Sequence, residues 1–140
     1  MSKTIIITGA SSGIGEFTAK FLAKTDAINV ILGARREERL KEIVAAIRND
    51  CGEAHFLKTD VTKYEDLKAL AEYAILKTGR IDAIIVNAGV MSVAPMSMLP
   101  VKEWDAMIDV NIKGLLYSIA AVLPFFERQR SGHFIAIGSV

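Results

Sequence analysis

The chain has 140 residues, of which 51% are hydrophobic and 24% are charged, and its formal net charge is +1. This composition excludes an intrinsically disordered polypeptide, and a near-neutral charge without a basic run gives no support for nucleic acid as a partner. The length is that of a single domain, residues 1–140, which can bury a hydrophobic core.

The location suggested by the residues is the cytoplasm. Cys51 is the single cysteine, which excludes an internal disulfide and fits a reducing compartment, and we interpret it as an incidental turn residue. No signal peptide is expected, because the apolar run near the start is short and leads into a glycine-rich turn. No continuous apolar stretch approaches about 18 residues, so no membrane span is expected. His55 and His133 lack the spacing of metal ligands, and no metal site is predicted.

Short apolar runs alternate with longer amphipathic segments along the chain. In chain order, the pattern predicts a strand over 3–8, a helix over 13–24, a strand over 29–32, a helix over 37–49, a strand over 54–58, a helix over 64–78, a strand over 81–86, a helix over 102–129 and a strand over 133–137. Pro124 is expected to bend or interrupt the last turns of the long helix. Apolar strands that alternate with helices predict an α/β fold: a doubly wound, Rossmann-type parallel sheet with helices on both faces.

Each of the first three helices carries an apolar stripe at helical spacing. The stripes are Ile14, Phe17, Phe21 and Leu22 in the first helix, Leu40, Ile43, Val44 and Ile47 in the second, and Leu67, Leu70, Ala71 and Ala74 in the third. We expect these faces to pack on the sheet.

A glycine-rich turn, TGASSGIG at residues 8–15, separates the first strand from the first helix. Such a turn leaves backbone N–H groups free at a helix N-terminus, where they can hold a phosphate. Gly9 permits the tight turn, Gly13 lets the backbone approach a pyrophosphate, and Gly15 lets helix and strand pack closely. The residues assigned to the cofactor in this turn are Gly9, Ser11, Ser12, Gly13, Ile14 and Gly15. A tight turn without a ligand is the alternative.

The octet resembles the cofactor motif of the classical short-chain dehydrogenase/reductase family. Three further elements match that family in order: Asn87, Ala88 and Gly89 after the fourth strand, Asn111 inside the long helix, and Gly138, Ser139 and Val140 after the fifth strand. The resemblance covers the whole chain. It implies a hydride transfer between a nicotinamide and a carbonyl or alcohol carbon of a small molecule, with Asn87 stabilising the central strand and Ala88 and Gly89 passing the cofactor ribose.

The cofactor preference follows from the end of the second strand. An NAD site of this kind has an acidic residue there for the ribose 2′-OH, whereas this strand ends in Ala34, Arg35 and Arg36. The guanidinium of Arg35 can bind a 2′-phosphate through two hydrogen bonds, which favours NADP(H). Arg36 is either a second ligand or a solvated residue at the start of a helix. By resemblance, Asp60 bonds the adenine amino group and Val61 flanks the ring; capping of the next helix is an alternative role for Asp60.

Two of the family's catalytic residues can be assigned by resemblance: Ser139 holds the substrate oxygen, and Asn111 kinks its helix and holds a water in the proton path. The family's tyrosine and lysine, spaced Tyr-x-x-x-Lys, are expected beyond residue 140. Tyr64 with Lys68 and Tyr73 with Lys77 have that spacing but precede the fourth strand, and we interpret them as ordinary helix pairs. The methionine-rich stretch 91–98 forms either an apolar substrate wall or a loop packed on the long helix with Trp104.

Without further strands, the fifth strand is expected to be an exposed apolar edge. The resemblance also implies that the whole protein is a homo-oligomer, with the long helix at its subunit interface. A non-catalytic dinucleotide-binding module and an inactive fragment are the alternatives to an NADP-dependent oxidoreductase.

Overall fold

A computed structural model describes residues 1–139 of the chain, so Val140, the last residue of the 138–140 motif, lies outside the described residues. In chain order the elements are β1 (Lys3–Thr8), α1 (Gly13–Leu22), β2 (Ile28–Ala34), α2 (Glu37–Asn49), β3 (Glu53–Lys58), α3 (Tyr64–Thr78), β4 (Ala83–Val86), a 3₁₀ turn (Met96–Met98), α4 (Val101–Met107), a π-helical segment (Ile108–Lys113), α5 (Gly114–Gln129) and β5 (His133–Ala136).

The five strands form one parallel sheet in the order β3-β2-β1-β4-β5. The chain therefore runs outward from β1 in one direction and then reverses to place β4 on its other side. The predicted doubly wound α/β fold is confirmed. At the reversal between β1 and β4 the connecting loops diverge, and a parallel sheet of this kind leaves a crevice there at its carboxyl edge.

Both faces of the sheet are buried, as continuous apolar strands require. On one face, Ile6, Ile31 and Ile84 pack beneath α3 and α5. On the other face, Ile7, Val30 and Leu32 pack beneath α1 and α2. Full burial of one such side chain stabilises the fold by roughly 1.5–3 kcal/mol, so the central strands hold the carboxyl edge in a fixed position.

The predicted stripes of α2 and α3 are buried as expected. The predicted stripe of α1 is wrong for three of its four residues: Ile14, Phe17 and Phe21 are 61%, 70% and 62% exposed, whereas Leu22 packs partly buried against the core. Gly15 and Ala19 form the buried face instead. Small residues allow α1 to lie close to β1, and the large side chains of the same helix then point away from the sheet.

The long helix is interrupted around Asn111, where the family resemblance implies a kink, and not at Pro124. Pro124 lies inside α5 without ending it, whereas the ladder changes to π-helical bonding at Ile108–Lys113. Short π-helical segments within α-helices are frequent at functional sites. The segment in this chain contains Asn111. On α5, Val122 is buried and Leu116 is about half exposed. In the π-helical segment, Ile108 and Ile112 are also about half exposed.

By length and hydropathy alone, the 29-residue helical run Val101–Gln129 could cross a membrane, with a mean hydropathy of 1.5 over its most apolar window. This differs from the expectation that no segment qualifies. One such helix is weak evidence for a membrane span, because helices of soluble proteins pass the same test of length and composition.

The fifth strand lies at the edge of the sheet. Within residues 1–139, β5 pairs only with β4, and Phe134, Ile135 and Ile137 are partly exposed, in agreement with the expected apolar edge.

Candidate cofactor-binding site

A cavity of about 540 Å³ lies at the carboxyl edge of the sheet, around the reversal between β1 and β4. Its walls come from the glycine-rich turn, the ends of β2, β3 and β4, and one residue of the π-helical segment. The lining residues are Gly9, Ser11, Ser12, Ile14, Ala34, Arg35, Arg36, Thr59, Asp60, Val61, Asn87, Ala88, Gly89, Val90 and Val110.

Eleven of these lining residues belong to the site predicted from the sequence. Sequence reasoning did not assign Thr59, Val90 and Val110, which adjoin Asp60, Gly89 and Asn111 in the chain, and it mentioned Ala34 only for the missing carboxylate. Gly13, Gly15, Asn111 and Ser139 were predicted but do not line the cavity. Thr59, Val90 and Val110 could have been predicted from their positions next to motif residues in the chain.

Gly9 is essential to the shape of the turn. Its φ is +63°, and a Cβ at this position would lie 2.7 Å from the Ala88 Cα atom and 2.8 Å from the Ala88 nitrogen. These separations are too short for any side chain, and the backbone that blocks them cannot move aside easily. The turn after β1 is therefore packed directly against the chain that leaves β4.

Gly13 opens α1 and faces free space. Its φ is +55°, and a Cβ there would meet no atom within 4 Å. Ser12, the residue before the helix, makes no side-chain cap, so the first N–H groups of α1 lack an intrahelical acceptor. Open space in front of free N–H groups is what a phosphate group requires.

Asn87 joins the end of β4 to the end of β1. Its Nδ2 atom donates to the carbonyl oxygens of Thr8 and Gly9 at 3.2 and 3.1 Å, and its own N–H donates to the Thr8 hydroxyl at 3.1 Å. A Cβ at Gly15 would lie 2.5 Å from that Nδ2 atom. Asn87 thus joins the ends of β1 and β4 at the cavity and leaves no room for a larger residue at position 15.

Two arginines stand at the end of β2, next to the buried Ala34. The Nε and Nη2 atoms of Arg36 donate to the Ser11 hydroxyl at 3.2 and 3.1 Å, which connects α2 to the glycine-rich turn. Arg36 is exposed but is not only solvated, since it has this contact and lines the cavity. Arg35 also lines the cavity, and its positive charge acts on Asp60.

Asp60 is held by the residues that follow it. Its Oδ1 atom accepts hydrogen bonds from the N–H of Thr62 at 3.0 Å and from the Thr62 hydroxyl at 2.7 Å. Burial raises the pKa of Asp60, but the two bonds from Thr62 and the charges of Lys63 and Arg35 outweigh burial and lower it overall. Asp60 is therefore ionised near neutral pH and shapes the loop before α3, while Val61 beside it is 7% exposed.

Asn111 contacts the loop that follows β4. Its Oδ1 atom accepts from the N–H of Val90 at 2.8 Å, and its Nδ2 atom donates to the Val90 carbonyl at 2.8 Å. The π-helical segment presents this side chain toward the loop. Ser139 follows β5 at the same edge of the sheet and is exposed. The structure therefore brings Asn111 to the rim of the cavity through Val90 and leaves Ser139 outside the lining.

The two early Tyr-x-x-x-Lys pairs lie on α3, where each lysine stands over its own tyrosine ring: Lys68 at 5.8 Å from the Tyr64 centroid and Lys77 at 5.3 Å from the Tyr73 centroid. None of the four residues lines the cavity. Within residues 1–139, no group of three or more His, Cys, Asp or Glu residues is placed to hold a metal ion.

A doubly wound parallel sheet, with a glycine-rich turn at its reversal and a cavity at its carboxyl edge, is the arrangement of a Rossmann-type nucleotide-binding fold. The short chain dehydrogenase family model matches residues 3–140, and the chain belongs to that family.

An uncharacterized oxidoreductase of Listeria innocua is 58% identical over 139 residues, which are 99% of this chain and 56% of that protein. The chain thus spans about half the length of the curated relatives that it matches. An alcohol dehydrogenase of the archaeon Thermococcus sibiricus, complexed with 5-hydroxy-NADP, has 30% identity and a TM-score of 0.87 over 96% of this chain and 57% of its own. A short chain dehydrogenase/reductase of Burkholderia phymatum, in complex with NAD, has 25% identity and a TM-score of 0.92 over 99% of this chain and 49% of its own.

Proposed function

We propose that the protein is an NADP(H)-dependent oxidoreductase that transfers a hydride between the nicotinamide and a small carbonyl or alcohol substrate. The observation that carries the proposal is the lining of the cavity: a glycine-rich turn at one end of the crevice, and two arginines with no carboxylate at the end of β2. Family membership supports a dehydrogenase or reductase activity.

The residues of the turn fit a pyrophosphate. Gly13 leaves open space before the N-terminus of α1, and the uncapped N–H groups there can donate to phosphate oxygens. The partial positive charge of the helix N-terminus adds to this attraction. In the proposed complex, Ser11, Ser12 and Ile14 line the phosphate end, and the backbone of Ala88 and Gly89 passes the ribose.

The residues after β2 fit a 2′-phosphate better than a free 2′-OH. A carboxylate at Ala34 would accept a bond from the hydroxyl and repel a phosphate, and none is present. Arg35 and Arg36 offer planar guanidinium groups suited to paired hydrogen bonds with phosphate oxygens. The Ser11 hydroxyl already fixes Arg36 above the cavity. Asp60 and Val61 would then receive the adenine at the end of β3.

A bound nicotinamide would supply the hydride chemistry, and the chain would position and polarise the reacting groups. Asn111 fixes the peptide of Val90 at the wall of the cavity, so we assign it a role in holding the shape of the nicotinamide end and a proton-carrying water. We assign Ser139, at the carboxyl end of β5, to the substrate oxygen. By family resemblance, we assign the proton transfer to a tyrosine and a lysine that would follow Ser139 in the full-length protein.

For the whole protein, we propose a cytoplasmic enzyme that assembles as a homo-oligomer. The interface would be the exposed apolar face of the long helix, around Ile108, Ile112 and Leu116. Its partner is a small-molecule carbonyl or alcohol, with neither nucleic acid nor a membrane as a partner. The near-neutral net charge supports the exclusion of nucleic acid.

The test is a titration of the full-length protein with NADPH and NADH, followed by calorimetry or nucleotide fluorescence. NADPH is expected to bind more tightly than NADH by about tenfold or more, since each charged hydrogen bond to the 2′-phosphate contributes about 1.5–3 kcal/mol. Arg35→Glu should weaken NADPH binding far more than NADH binding. Equal affinities in the unmodified protein would overturn the NADP(H) assignment, and equal losses in the variant would refute Arg35 as the phosphate ligand.

A panel of aldehydes and ketones with NADPH then tests the reaction itself. Oxidation of NADPH that depends on both the carbonyl compound and the enzyme supports an oxidoreductase. Tight nucleotide binding without turnover on any carbonyl or alcohol would favour the non-catalytic dinucleotide-binding alternative.

A further inference from the structure

A carboxylate on α1 reaches across to α2 near the cavity. The Nη2 atom of Arg39 donates to both carboxylate oxygens of Glu16 at 2.8 Å, and Lys20 donates to the same carboxylate at 2.6 Å. The Glu16 side chain is only 15% exposed, in contrast to 43% for Arg39. This ion pair is therefore partly shielded from water and joins two elements that are 23 residues apart in the chain.

The pair lies beside the contact between Ser11 and Arg36. Arg36 is the residue before α2, and Arg39 lies in the first turn of that helix. Ser11 belongs to the glycine-rich turn before α1, and Glu16 lies in the first turn of α1. The Arg36–Ser11 and Arg39–Glu16 contacts therefore both join the start of α2 to the region around the start of α1. Of these two contacts, the Arg36–Ser11 contact is made by residues that line the cavity.

Charges of both signs lie at the start of α2. Arg35, Arg36 and Arg39 fall within five residues there, together with Glu37 and Glu38 of the first helical turn. Among the described residues, Glu38 bonds Lys41, and Glu42 bonds the other amino group of Arg39. Glu16 is the carboxylate on α1 that bonds Arg39 across the two helices.

We propose that Glu16 and Arg39 are positioning residues that determine cofactor specificity. By tying the start of α2 to α1, they hold Arg35 and Arg36 over the cavity in the geometry that a 2′-phosphate needs. The inference rests on the NADP(H) assignment above. Neither residue lines the cavity, so the effect on the cofactor passes through the two arginines.

Opposite charges on the two residues allow a sharp test. If only the electric field mattered, Glu16→Gln would strengthen NADPH binding by removing a negative charge, and Arg39→Gln would weaken it. If the pair acts by positioning, both substitutions weaken NADPH binding. The double variant should then bind about as weakly as the weaker single variant, because both substitutions break the same link.

The experiment measures dissociation constants of NADPH and NADH for the full-length protein and for Glu16→Gln, Arg39→Gln and the double variant. We expect each single substitution to weaken NADPH binding about twofold to fivefold, the upper part of the range for one partly exposed ion pair. NADH binding should change by less than about twofold, on the same scale. Arg39→Lys keeps the charge and one bond to Glu16, and should recover part of the NADPH affinity.

The matched control is the Glu38–Lys41 pair, which lies on the same helix with both side chains well exposed. Glu38→Gln and Lys41→Gln should leave both dissociation constants unchanged. Opposite effects of Glu16→Gln and Arg39→Gln on NADPH, or equal losses for both nucleotides, would overturn the positioning role. A parent protein that prefers NADPH, together with variants that retain that preference in full, would refute this inference alone. A parent protein without that preference would overturn it together with the proposed function.

Discussion

Asn111 and Val90 exchange two hydrogen bonds, each 2.8 Å long, between one side chain and one peptide backbone. The side-chain amide reproduces the pairing that a neighbouring strand would offer, so the loop after β4 is fixed where no strand partner exists. An amide is the only common side chain that can both donate and accept in this geometry.

Replacing Asn111 with Ala should therefore lower the free energy of unfolding by about 1–2 kcal/mol, since two hydrogen bonds are lost at a partly solvated position. Urea unfolding measures this difference. Asn49→Ala is the control, because Asn49 is exposed at the end of α2. In the full-length protein, Asn111→Ala should also reduce kcat more than it weakens NADPH binding, and an unchanged kcat would contradict the assigned role.

Gly13 and Gly79 form a natural comparison. Both have positive φ, +55° and +80°, and a Cβ at either position would meet no atom within 4 Å. Substitution of either by Ala should reduce stability by about 1–2 kcal/mol through backbone strain alone. Gly13 faces the proposed phosphate site, whereas Gly79 ends α3. Only Gly13→Ala should weaken nucleotide binding, and a similar loss in Gly79→Ala would show that strain is the cause.

Glu16 should make folding stability depend on pH. The hydrogen bond from Lys20 lowers the pKa of Glu16 below its ordinary value of 4.5; burial opposes this effect, and Arg39 adds to it. Because the pKa is lower in the folded state, the carboxylate contributes stability above the unfolded pKa and loses it as the pH falls through the folded pKa. The difference in unfolding free energy between the parent and Glu16→Gln should be constant from neutral pH down to about pH 5 and should shrink below it. A difference that does not shrink as the pH falls below about 5 would contradict this prediction.

Ser139→Ala should lower turnover of the full-length enzyme by about 100-fold or more, if its hydroxyl positions the substrate oxygen. NADPH affinity should be unchanged, because Ser139 does not line the nucleotide cavity. Steady-state kinetics and a nucleotide titration separate the two effects. Ser97→Ala, in the exposed 3₁₀ turn, provides the comparison. Full activity in Ser139→Ala would remove the serine from the mechanism.

The fold could be predicted from the sequence because strand and helix periods agree with the topology over most of the chain. The stripes of α2 and α3 were correct, but that of α1 was not. Periodicity shows which residues share a helix face, but it does not show which face packs on the sheet. In α1 one face carries the small residues Gly15 and Ala19, and another carries the large residues Phe17 and Phe21. Contact with Asn87 decides between them, since only a glycine fits at position 15. The four-residue spacing of Gly15 and Ala19 was the sequence feature that could have identified the buried face.

The candidate site was predictable where it depends on the ends of strands and on the glycine-rich turn. The contacts that orient it were not predictable, because they join distant residues: Ser11 with Arg36 and Glu16 with Arg39. An interruption of the helix at Asn111 was expected from the family resemblance, but the residue pattern alone did not predict it. Pro124 is the visible helix breaker in that region, yet the ladder changes earlier, where no proline or glycine marks it before Gly114.

Every residue that lines the cavity lies between Gly9 and Val110, ahead of α5 and β5 in the chain. Protein synthesis therefore delivers all of these lining residues before the ribosome reaches Ser139. A ligand stabilises whichever folded state binds it. If the cavity holds a nucleotide, as we propose, that nucleotide would favour folding of this segment while later segments are still being made.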